Sequence, residues 1–175
     1  MENLRGRERL YREFDELQSK PDINNCYTVD YWDPDNNYPD IFHWQVILIP
    51  PKGTDYEGGL FKLEVKFSED YPNTPPQVIF LTRIYHCNIK EYDGKICLNA
   101  LHGRYWKPTY TMENILDYII ILLYKQNPDS PVNYEAGQLY KKDRNKFNEN
   151  LKKYLKEYAN PNDFDNLLKQ KINTL

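Results

Sequence analysis

Phe61-Lys62-Leu63-Glu64-Val65-Lys66-Phe67 alternates apolar and charged side chains at period two, and Tyr71-Pro72-Asn73-Thr74-Pro75-Pro76 separates it from a second strand-like run, residues 77–82. The alternation specifies a strand with one dry face and one wet face. No helix can run through the proline cluster that follows. Upstream, residues 26–32 and 42–49 are also strand-like. Their connections, Asp33-Pro34-Asp35-Asn36-Asn37 and then Pro50-Pro51-Lys52-Gly53 with Gly58-Gly59, carry turn chemistry. Four consecutive strands with links this short predict an antiparallel meander.

Helices flank the strands. Leu10, Phe14 and Leu17 recur at i, i+4 and i+7 among Arg7, Arg9, Arg12, Glu13 and Glu16, which predicts an amphipathic helix ended by Ser19-Lys20-Pro21. Residues 83–110 keep no period, yet hold two cysteines, two histidines and a tryptophan. An irregular stretch this long inside a compact domain is usually functional. Thr111 is placed to cap a helix reaching about Gln126, with Glu113 in its first turn and Ile115, Ile119, Leu122 and Leu123 facing inward as the most buried helix. Beyond Asn127-Pro128-Asp129-Ser130-Pro131, a short helix near 134–140 precedes a longer one to Tyr158. The longer one carries Phe147, Leu151, Tyr154 and Leu155 on one face and stops at Asn160-Pro161. Phe164, Leu167, Leu168 and Ile172 have the spacing of one more small amphipathic helix. The fold class is α+β: an N-terminal helix, a four-stranded antiparallel meander, then helices packed on one side and end. Residues 1–160 form one domain and 161–175 a short C-terminal extension.

Composition narrows the function. With 175 residues, 40% apolar and 28% charged, the chain supports one hydrophobic core. A net charge of −3 supplies no global basic field for nucleic acid or anionic lipid, so neither is expected as a partner. No apolar run approaches the ~20 residues that cross a bilayer, and residues 1–12 lack the apolar stretch of a signal peptide, so a soluble, unexported protein is expected. Cys26, Cys87 and Cys97 form an odd set with no C-x-x-C pair, which argues against a disulfide framework and against zinc or another metal. Reduced thiols in the cytoplasm or nucleus follow, leaving a cysteine free for chemistry.

Five landmarks then fall in order: Phe42-His43-Trp44, Tyr71-Pro72 with Pro75-Pro76, Tyr85-His86-Cys87-Asn88-Ile89 followed by Asp93-Gly94-Lys95-Ile96-Cys97-Leu98-Asn99, Trp106-Lys107-Pro108, and Asn127-Pro128-Asp129-Ser130-Pro131. Together they resemble the ubiquitin-conjugating enzymes, over about residues 5–159. The resemblance implies that Cys97 accepts ubiquitin's C-terminal glycine as a thioester and passes it on to a substrate lysine or a ligase. A thioester suits this role because thiolate exchange makes it and amines still attack it. Taken without those landmarks, Cys97 between Ile96 and Leu98 reads as a small buried apolar residue.

The resemblance also implies roles around Cys97. Asn88 matches the family's asparagine, which either stabilises the developing oxyanion or ties down the adjacent loop. His86 matches a histidine that supports that loop by hydrogen bonding. Ser130 takes the position of the family's gate residue and Asp129 precedes it, suited to receiving a lysine that must lose its proton; the same five residues are also plain turn chemistry. Cys87 stands where the family usually has proline, and packing rather than oxidation with Cys97 is expected of it. One extra residue separates Asn88 from Cys97.

Arg5, Arg9 and Arg12 match the basic helix face that the family offers its activating enzyme and ligases, and Asn73, Pro108 and Thr109 the ligase-facing loops. No cofactor is bound under this reading, because the upstream activating enzyme uses the ATP. Three alternatives stay open: a conjugating enzyme of the neddylation type, favoured by Cys97-Leu98-Asn99 and Trp106-Lys107-Pro108; a non-catalytic variant that binds ubiquitin; and a cysteine hydrolase pairing Cys97 with His86 or His102. Phe42-His43-Trp44 favours ubiquitin, as does a chain that begins almost at its first helix.

Overall fold

A computed structural model describes residues 4–19, 26–32 and 40–164. Its order is α1 (Leu4–Ser19), β1 (Tyr27–Tyr31), β2 (His43–Leu48), β3 (Phe61–Lys66), β4 (Gln77–Phe80), α2 (Met112–Tyr124), α3 (Tyr134–Lys142) and α4 (Arg144–Tyr158), with short 3-10 turns at Asn99–Leu101 and Pro161–Asp163. The four strands pair antiparallel in sequence order, which is the predicted meander. Each strand is one to two residues shorter than its sequence pattern, with Phe42 already in a turn before β2 and residues 81–82 bending away after β4. The turn at residues 33–37, the stop at Lys20-Pro21 and the apolar spacing of Leu167, Leu168 and Ile172 lie outside the described residues.

Register explains the core. Val29 faces Val46, Val46 faces Leu63, and Leu63 faces Phe80, while Trp44 faces Val65 and Val65 faces Val78. All of these are buried, and they form the dry face that the alternation of β3 requires. On the opposite face His43 Nε2 meets Glu64 Oε1 at 2.8 Å, and Lys66 reaches the same oxygen at 2.8 Å.

Helix α2 covers the core with Met112, Ile115, Leu116, Ile119 and Leu123 all buried. Leu122, expected inward, is half-buried at the edge of this stripe. Thr111 caps the helix as predicted. Its Oγ1 accepts from the Asn114 N–H at 3.3 Å, and Asn114 Oδ1 accepts from the Thr111 N–H at 3.1 Å. Such a cap stabilises by about 1 kcal/mol. A second acceptor comes from α1, where buried Glu13 takes the Met112 N–H at 2.7 Å. Glu13 also accepts the Tyr71 hydroxyl at 2.8 and 2.9 Å and the Arg9 Nε–H at 2.6 Å, so one carboxylate joins α1, α2 and the loop after β3. No described helix is long and apolar enough to cross a membrane.

Candidate active site

The irregular stretch after β4 contains a short hairpin. Ile89 stands opposite Ile96, the Cys97 N–H donates to the Asn88 carbonyl at 2.8 Å, and the Lys90 N–H donates to the Lys95 carbonyl at 2.9 Å. Ile89 and Ile96 are a cross-strand pair with both side chains buried, and Cys97 follows at the next position, half-buried. Pairing is unbroken from Asn88 and Cys97 to Lys90 and Lys95, and the backbone reverses in the turn at 91–94. Gly94 makes that turn at φ +65° and docks it on β4, its carbonyl accepting the Phe80 N–H at 2.9 Å. A Cβ at position 94 would lie 1.9 Å from the Phe80 carbonyl oxygen, so only glycine fits.

Exposure separates the three cysteines. Cys26 and Cys87 are buried, whereas Cys97 is half-buried and lines a groove of about 270 Å³. The groove runs between β4 and the hairpin, with Gln77, Ile79, Lys90, Lys95, His102 and Val132 on its walls. Burial pushes the Cys87 thiol up to about 11, so it stays protonated at neutral pH. It packs, as expected.

His86 is fully buried, and burial lowers it to about 4. Nδ1 accepts the Asn88 N–H at 2.8 Å, and Nε2–H donates to the Leu122 carbonyl at 3.2 Å. Both ring nitrogens of this neutral imidazole are committed, which removes it as the base of a cysteine hydrolase. Asn88 is equally committed. Its Oδ1 accepts the Asn127 N–H at 2.7 Å, while Nδ2 donates to the Asn127 carbonyl at 2.9 Å and the Ser130 carbonyl at 3.3 Å. With both amide hydrogens in use, this arrangement is a tie to the 127–131 loop.

Asp129 and Ser130 stand exposed on that loop. Asp129 forms an ion pair with Lys141 of α3, and its N–H donates to Asn127 Oδ1 at 3.2 Å. Val132, just past the loop, reaches the wall of the Cys97 groove. The structure thus brings together Cys97, Asn88, His86 and the Asp129-Ser130 loop. Among the described residues no cluster of three His, Cys, Asp or Glu side chains could hold a metal ion.

On the predicted partner face, Arg5 and Arg12 are exposed on α1, but Arg9 departs from expectation. Its guanidinium turns inward to the carbonyls of Pro108 and Tyr110, the latter at 2.6 Å, as well as to Glu13. It is a strut under the 108–110 loop. Asn73, Pro108 and Thr109 are exposed, and Trp106 Nε1–H joins their two loops by donating to the Pro72 carbonyl at 2.7 Å.

Sequence reading missed Gln126, whose buried amide accepts the Cys87 N–H at 2.9 Å. The signal lay in Cys87: a residue other than proline brings an N–H that needs an acceptor once buried. Lys90 and Lys95 were also given no role, although both line the groove.

A profile described as ubiquitin-conjugating enzyme matches residues 9–155. The chain belongs to the ubiquitin-conjugating enzyme family. The member is 42% identical over 124 residues to a probable ubiquitin-conjugating enzyme E2 31 of Arabidopsis thaliana, covering 71% of this chain and 79% of that relative. Ubiquitin-conjugating transferases work with ubiquitin, an activating enzyme and ligases, and the fold described above is the one this family adopts.

Proposed function

We propose that Cys97 takes ubiquitin from an activating enzyme as a thioester and passes it to a substrate lysine or to a ligase. The observation that carries this reading is that Cys97, unlike the buried Cys26 and Cys87, is only half-buried and lines the groove between β4 and the hairpin. In the first step a bond forms between Cys97 Sγ and the carbonyl carbon of the C-terminal glycine, and the activating enzyme's thiolate leaves. In the second, a neutral lysine amine attacks the same carbon, the C–S bond breaks, and the amine sheds a proton to a nearby base or water. ATP is spent upstream, so no resident cofactor is required.

The remaining residues prepare this transfer. Asn88 fixes the 127–131 loop, and Asp129 and Ser130 on that loop meet the incoming amine. Arg5, Arg12, Asn73, Pro108 and Thr109 face the activating enzyme and ligases, with Arg9 supporting the loop beneath. The thiol chemistry suits the reducing cytoplasm or nucleus. Ubiquitin is assigned as the modifier because the Arabidopsis thaliana relative carries it in its name. The test incubates the protein with ATP and either ubiquitin or a neddylation-type modifier, each with its matching activating enzyme. A thiol-sensitive adduct is expected with ubiquitin. An adduct only with the other modifier reassigns the branch, and none with either overturns the reading.

A further inference from the structure

Two consecutive residues, Cys87 and Asn88, hold the whole 126–133 segment. Asn88 grips its middle through Asn127 and Ser130. Cys87 grips both ends with its backbone: its N–H donates to Gln126 Oε1 at 2.9 Å, and its carbonyl accepts the Val132 and Asn133 N–H groups at 2.8 and 3.1 Å. Gly137 of α3 lies against Pro131 so closely that a Cβ would come within 2.7 Å of it. The loop is therefore held by residues 87–88 and packed against α3.

Gln126 is the one side chain in this clamp that comes from the loop itself and is buried, at 6% exposure. Its orientation is forced. The Cys87 N–H can only donate, so it must face Oε1, which turns Nε2 toward the Tyr56 hydroxyl at 3.0 Å. That hydroxyl donates onward to the Tyr85 carbonyl at 2.8 Å. This run of hydrogen bonds joins residues 85–87, next to Asn88, to the first residue of the loop that bears Asp129 and Ser130. A buried network of this kind favours one geometry, and losing Gln126 leaves the Cys87 N–H orphaned.

We propose that Gln126 is a positioning residue for transfer from Cys97: through the Cys87 N–H it sets the register of the Asp129-Ser130 loop against the hairpin that carries Cys97. This rests on the reading that Cys97 bears the thioester. Gln126 touches no reacting atom; it acts through the backbone of Cys87, and its effect falls on the amine-accepting step, where the loop is used.

The test charges the protein with ubiquitin and measures, in single turnover, discharge to free lysine alongside the rate of charging. Four proteins are compared: wild type, Gln126→Leu, Cys87→Pro and the double variant. Gln126→Leu leaves the Cys87 N–H buried without an acceptor, and its discharge is expected to fall about tenfold, more than its charging does. Proline, the residue implied here by the family resemblance, has no N–H to satisfy. The double variant is therefore expected to discharge within about threefold of wild type, a rescue that a general loss of stability would not produce. Gln126→Leu discharging at the wild-type rate, or a double variant no faster than Gln126→Leu, overturns the proposal. If Gln126→Leu does not fold, Cys87→Pro against the double variant decides. The double variant must then be the faster, and equality overturns the proposal. Failure of wild type to charge would instead sink the assignment of Cys97.

Discussion

The Cys97 N–H donates to the Asn88 carbonyl at 2.8 Å, so the solvent-reaching thiol and the side chain that holds the 127–131 loop sit across one rung of a short ladder. A change on either strand of this hairpin is transmitted to both. Asn88→Ala removes three side-chain hydrogen bonds and leaves the Asn127 N–H and carbonyl without their protein partner. The expected loss of stability is about 2 to 3 kcal/mol. Lysine discharge should slow more than charging does. Chemical denaturation and single-turnover discharge check the two halves separately.

Gly94 is the point at which the hairpin rests on β4. Gly94→Ala adds both a positive-φ penalty and a contact with the Phe80 carbonyl that cannot relax without moving backbone. We expect at least about 2 kcal/mol of destabilisation, read as a lower midpoint in urea, and a parallel loss of charging as Cys97 moves with the hairpin.

His86 makes stability depend on pH with a definite sign. Its folded value is held down to about 4 from 6.5 by burial, so the folded state resists a proton that the unfolded chain accepts. The stability that depends on a neutral His86 is complete above pH 6.5 and is lost as pH falls toward 4, by about 3 kcal/mol in all. Unfolding free energies at pH 7 and pH 4 should therefore differ less in His86→Gln than in wild type. Parallel losses in the two proteins would contradict this.

Arg9 and Glu13 form one support for α2 and the 108–110 loop. Glu13→Ala orphans the buried Met112 N–H and takes from the Arg9 guanidinium one of its three acceptors. A loss of about 3 kcal/mol is expected. Arg9→Ala should cost less, since its guanidinium is partly solvated, and should weaken ligase-stimulated discharge by loosening Pro108 and Thr109. Melting temperature and discharge with and without a ligase distinguish the two variants.

The strands were legible because period-two alternation and turn residues are local signals, and β3 displays both without interruption. Thr111 was legible as a cap for the same reason. Helix spacing reports only which face of α1 is apolar, so Arg9 reads as a wet residue. The carbonyls that turn it inward belong to residues about a hundred positions away. Gln126 was hidden likewise, because its partner is a backbone N–H on another segment. Cys97 was found through ordered motifs, but its solvent access could be learned only from the packing that shuts in Cys26 and Cys87.

The central claim is that Cys97 carries the acyl group, and the chemistry of the bond tests it most directly. Wild type and Cys97→Ser are each incubated with ubiquitin, its activating enzyme and ATP, and the adducts are treated with a thiol reductant and with hydroxide. Wild type is expected to form an adduct that the reductant cleaves, and Cys97→Ser one that survives reductant but yields to hydroxide, as an oxygen ester must. A reductant-sensitive adduct on Cys97→Ser would place the acyl group on another cysteine and contradict the account.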